Sequence, residues 1–123
     1  MKTDELQLRT RDFALRIVKM FKALPKTTEA QVLGKQLLRS GTSVAANYRA
    51  VCRARSKNEF VARLAVVVEE IDESVLWLDL LVAAGIVPEA KLASLTKEAG
   101  ELLAIFVASQ LTVRGIRKSV SSI

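Results

Sequence analysis

The sequence predicts an all-α protein, an antiparallel up-down four-helix bundle over residues 1–113, followed by a short basic tail at 114–123. Apolar residues recur at steps of three and four through most of the chain, which is the helix period. Gly and Pro are sparse, five and two in 123 residues, and the breaks fall at three places. Each break is only a few residues long, which suits helices that fold back on their neighbours.

The first segment, 5–24, places Phe13, Ile17, Met20 and Leu24 on one face and ends at Leu24-Pro25-Lys26-Thr27-Thr28. The second, 28–54, opens with Thr28-x-x-Gln31 at capping-box spacing and aligns Leu33, Leu37, Gly41, Val44, Tyr48 and Val51. A helix-turn-helix with Gly41 at its turn would put the bulky Leu37 where a small residue belongs. The apolar set also keeps its phase across Gly41. One continuous helix is expected, in which Gly41 costs up to ~1 kcal/mol and allows close packing.

The break Ala54-Arg55-Ser56 is followed by a second capping-box spacing, Ser56-x-x-Glu59. Segment three, 57–84, aligns Phe60, Leu64, Val67, Ile71, Val75, Leu78 and Val82; the strand preference of Val66-Val67-Val68 yields to the surrounding helix period. Gly85 and Pro88 read as a stop and a new start. Segment four, 88–113, aligns Leu92, Leu95, Ala99, Leu102 and Phe106, and the tail after it is expected to fray.

Composition removes most chemistry. There is no His and one Cys, which leaves no disulfide, few zinc sites and no His-dependent acid–base catalysis. Cys52 has no His to activate it and reads as packing. Glu69, Asp72 and Glu73 have i, i+3, i+4 spacing, but a di-iron bundle needs Glu-x-x-His pairs. Ser40, Thr42 and Ser43 lack a base and a nucleophile elbow, and Gly34-Lys35 lacks a phosphate-binding loop. The expectation is a non-enzyme without cofactor, metal or small-molecule substrate. No signal peptide is visible, and charge-free stretches such as Leu102–Val113 fall short of the ~20 residues a membrane span needs. A cytoplasmic protein is expected.

The net charge of +6 conceals an asymmetry: +9 over residues 1–63, −6 over 64–113 and +3 over 114–123. At ~100° per residue, Lys35, Arg39, Arg49 and Arg53 share one narrow arc of the second segment, opposite its apolar face. Arg55, Lys57 and Arg63 continue the positive charge past the turn. A rigid row of cations can follow a phosphate backbone, which makes structured RNA a candidate partner. Tyr48 lies on the apolar face and is expected in the core, not stacked on a base.

The third segment turns Glu69, Asp72 and Glu73 outward beside Leu76 and Leu80, and the fourth carries Ala93, Gly100, Ala104 and Ala108 on one face. This is more apolar surface than one bundle core hides, so a homo-oligomer is expected, with Leu76, Leu80, Ala104 and Ala108 as candidate contacts. The charges then have two competing uses. The basic stripe binds nucleic acid, or basic and acidic faces meet within or between subunits. Arg39 sits level with Ile71, in reach of Glu70, Asp72 or Glu73.

The run VLGKQLLRSGTSVAANYRAVCRARSKNEFVARL, followed by EEIDESVLWLDLLVAAGIV, resembles the four-helix-bundle family named for the 23S rRNA intervening-sequence protein. The likeness runs from about Phe13 to Phe106. Its most specific parts are Leu38-Arg39-Ser40 through Asn47, Ala54-Arg55-Ser56 and Asp72-Glu73-Ser74. It implies an up-down four-helix bundle of bacterial origin without established enzymatic activity. Some members are encoded inside insertions in large-subunit rRNA genes. A similar bundle, the accessory protein of diversity-generating retroelements, forms a basic pentameric ring that engages nucleic acid, so the resemblance implies a pentamer. It assigns no binding residues.

Overall fold

A computed structural model describes residues 2–115, apart from the side chain of Arg114. It contains four α-helices: α1 (Thr3–Lys22), α2 (Thr28–Cys52), α3 (Lys57–Ala83) and α4 (Glu89–Arg114). Among the described residues there is no strand. No described helix is long and apolar enough to cross a membrane.

The helix ends follow local chemistry. Asp4 and Glu5 lie in the first turn of α1, and Lys19 and Lys22 in its last, each charge matched to the helix dipole. The N-cap of α2 is Thr27, not Thr28: its hydroxyl accepts from the Ala30 N–H at 3.4 Å. The chain leaving Pro25 is still extended at Thr27, which shifts the cap by one residue. Ser56 caps α3 by accepting from the Glu59 N–H at 3.1 Å, while the Glu59 carboxylate accepts from the Arg55 N–H, one residue further back than a reciprocal capping box.

Helix α3 ends in a Schellman motif. Ile86 N–H donates to Leu81 O and Gly85 N–H to Val82 O, with Gly85 at φ 73°. Val66, Val67 and Val68 are all helical, and Val67 is fully buried, so packing overrides the local strand preference. Helix α4 runs to Arg114 and is closed by Gly115; the remainder of the expected tail, 116–123, lies outside the described residues.

The core joins all four helices. Phe13 and Ile17 of α1, Leu37, Val44 and Tyr48 of α2, Leu64, Ile71 and Leu78 of α3, and Leu95, Leu102 and Phe106 of α4 are buried together. The Tyr48 and Phe106 rings lie 5.1 Å apart and tilted at 47°. Gly34 and Gly41 let α1 approach α2. A Cβ at Gly34 would strike Leu24 and Phe21; one at Gly41 would strike Ile17. These pairs set α1 antiparallel to α2, and the short turns reverse each later helix. Helices α1 and α4 make the thinnest of the packed seams. There, Arg9 forms a two-pronged pair with Glu98, and Arg16 donates to the Ser94 hydroxyl at 2.9 Å.

Candidate nucleic-acid interface

On α2, the residues opposite the buried face form a ridge along the outside of the bundle. Lys35, Arg39, Arg49 and Arg53 are all exposed on it, and Arg55, Lys57 and Arg63 are exposed around and beyond the α2–α3 turn. Among the described residues, Lys35, Arg49, Arg53, Arg55, Lys57 and Arg63 make no ion pair, so their charges face solvent uncompensated at close range.

Arg39 is different. Its Nη1 donates to Glu70 Oε2 at 2.9 Å and its Nη2 to Glu73 Oε1 at 2.7 Å, bridging α2 to α3 within one chain. Glu69 and Asp72 are exposed and make no ion pair among the described residues. Of the carboxylates that the α3 sequence turns toward this side, the helix phase brings Glu70 and Glu73 to α2 and leaves Glu69 and Asp72 facing out. No group of three or more His, Cys, Asp or Glu among the described residues could hold a metal ion.

Tyr48 is buried at 6 % exposure, so its ring is not available for base stacking. Burial, with Cys52 beside the phenol, pushes its pKa up to about 12, and Thr3 opposes this in part. Leu76 and Ala104 are exposed, and Leu80 and Ala108 half-buried. Nothing lies within 4 Å of a Cβ added at Gly100. Leu8, Leu15 and Val32 add further exposed apolar surface on α1 and α2.

Two features escape the one-helix projection. Arg11 of α1 lines the same surface groove as Arg49, together with Gln7, Thr10, Ala45 and Ala46. The α1–α2 register set by Ile17 and Gly41 brings them level, which an alignment of the two segments about their turn could have revealed. Ser40 and Ser74 are both fully buried and bonded to one another. The signal for them was the small polar residue on each apolar face, at the level where Arg39 meets Glu73.

The comparisons with known proteins agree with this architecture. No curated protein matches the chain. A crystal structure of a protein of unknown function from the S23 ribosomal protein family of Bacteroides thetaiotaomicron superposes with a TM-score of 0.82 at 30 % identity, covering 89 % of this chain and 98 % of that one. The family model for the 23S rRNA-intervening sequence protein matches residues 4–108, which span the first turn of α1 to the last core aromatic of α4. With its fold and most of its length matched, the chain belongs to the 23S rRNA-intervening sequence protein family.

Proposed function

We propose that this protein is a non-enzymatic RNA-binding helical bundle that holds structured RNA through the cationic ridge of α2 and its continuation past the turn. The observation that carries this reading is the set of six exposed cations, Lys35, Arg49, Arg53, Arg55, Lys57 and Arg63, without ion pairs among the described residues. Cations aligned on a rigid helix match the regular charge of a phosphate backbone and release its counterions on contact. The family's link to 23S rRNA makes structured rRNA the first target to test. Titration of rRNA fragments at two salt concentrations should give log affinity falling linearly with log salt. Absence of binding at low salt would overturn the reading.

A second use of the surface is supported by Leu8, Leu15, Val32 and Leu76, which leave apolar side chains on several outer faces. A homo-oligomer such as a pentameric ring would cover them. Leu76→Glu should then reduce the mass measured by light scattering, and an unchanged mass would remove Leu76 from any subunit contact.

A further inference from the structure

A groove of about 300 Å³ runs between α1 and α2, lined by Gln7, Thr10 and Arg11 on one side and Ala45, Ala46 and Arg49 on the other. Two guanidiniums from different helices border one recess. Ala45 and Ala46 keep its α2 wall low, where longer side chains would fill the space. Among the described residues no carboxylate lines it. Neither Arg11 nor Arg49 has an ion pair or side-chain hydrogen bond among the described residues. The Thr10 hydroxyl is committed to the Leu6 and Gln7 carbonyls, whereas the Gln7 side-chain amide has no hydrogen-bond partner among the described residues and remains able to donate.

We propose that Arg11 and Arg49 form a two-helix clamp on a single phosphodiester group of RNA, with Gln7 as a neutral donor beside them. This rests on the RNA-binding reading above and moves its centre from the crest of α2 into the α1–α2 groove. A phosphodiester presents two non-bridging oxygens that share one negative charge, and each guanidinium can donate to one of them. A recess of this size takes such a group with part of its ribose, since one water occupies ≈ 30 Å³ of liquid. Arg53, four residues beyond Arg49 at the C-cap of α2, and Arg55 in the turn that follows are also exposed, where the next phosphates of the strand would pass. That continuation favours a repeating polyanion over a single acidic side chain.

The clamp differs measurably from two independent surface charges. Arg11→Gln, Arg49→Gln and the double variant would be titrated with an RNA hairpin across a range of salt, with Lys97→Gln of α4 as a charge control away from the groove. All three positions are exposed, and circular dichroism would confirm the fold. Each single variant should reduce the salt slope by about 1, and the double variant by about 1 as well, because both arginines hold the same phosphate. Lys97→Gln should leave the slope unchanged. Binding by the wild type with no change of slope in the arginine variants overturns the clamp and leaves the RNA reading standing. Additive losses totalling about 2 assign the arginines to separate phosphates and also overturn it. No binding by the wild type at low salt removes the clamp and the RNA reading together. Displacement of the hairpin by poly-glutamate as readily as by competitor RNA overturns the clamp as a phosphate site.

Discussion

Ser40 and Ser74 face each other across the α2–α3 interface with their Oγ atoms 2.8 Å apart, each side chain completely buried. Ser74 also lies 2.9 Å from the Glu70 carbonyl, so its proton can go to its own helix while its oxygen accepts from Ser40. One helical position away, Arg39 bridges to Glu73 and Glu70. A buried neutral pair and an exposed ionic one thus fix the same register.

Removing one hydroxyl of the buried pair should cost more than removing both proportionately would. Ser74→Ala leaves the Ser40 hydroxyl with only a 3.4 Å contact to Leu37 O, so a loss of about 1–2 kcal/mol is expected. The Ser40→Ala, Ser74→Ala double variant should lose clearly less than the sum of the two singles. Urea unfolding followed by the single tryptophan, Trp77, measures both, and strict additivity would argue that the bond contributes nothing.

The close approach of α1 and α2 predicts a packing conflict at Gly41. A Cβ there lies 3.3 Å from both Cγ1 and Cγ2 of Ile17 and overlaps its Cδ1, in a site where Ile17 has no room to swing. Gly41→Ala should therefore destabilise by about 1–3 kcal/mol despite the better helix propensity of Ala. Adding Ile17→Val removes the overlapping Cδ1 and should recover a substantial part of the loss. A Gly41→Ala chain more stable than wild type in thermal melts would contradict this packing account.

Arg39 should matter to the fold and not to RNA. It remains 49 % exposed while Glu70 is 12 % exposed, so solvent screens the pair from one side and Arg39→Gln should cost about 0.5–1 kcal/mol. The difference should shrink in high salt. Because two carboxylates already hold its guanidinium, the same substitution should leave the salt slope of RNA titrations unaltered. A slope reduced by about 1 would show that Arg39 leaves Glu70 and Glu73 for a phosphate.

Tyr48, the only tyrosine, gives the bundle an alkaline limit. Its folded pKa of about 12 lies above the ordinary 10.0, chiefly through burial. The folded state therefore retains a proton that the unfolded chain releases between those values. The contribution is intact below pH 10 and is lost as pH rises toward 12, with a slope of about 1.4 kcal/mol per pH unit. Tyrosinate absorbance should appear late, together with unfolding. Tyr48→Phe should flatten the decline; an equally steep decline in that variant would place its origin elsewhere.

The helices were legible in the sequence because their apolar periodicity is long and their breaks are short. Every apolar position aligned for the fourth segment, from Leu92 to Phe106, is buried, and Gly41 sits inside a continuous helix against Ile17. What a single-helix projection misses is partnership between helices. Thr27 takes the cap from Thr28 because the turn geometry decides which hydroxyl reaches Ala30. Arg11 belongs to the candidate interface only because α1 is held beside α2, and Ser40 looked like an ordinary small residue until Ser74 was opposite it.

The thin seam between α1 and α4 has a consequence for the order in which the chain assembles. Its Arg9–Glu98 bond joins positions 89 residues apart, whereas the other helix pairs are joined through short turns. Local hairpins close with little loss of chain entropy; this join encloses most of the polypeptide. Amides of α1 and α4 should consequently exchange with solvent through a smaller opening than those of α2 and α3, measurable by native-state hydrogen exchange. The central hairpin would then be the persistent unit, carrying most of the cations proposed to contact RNA, while the outer helices close the fold around it.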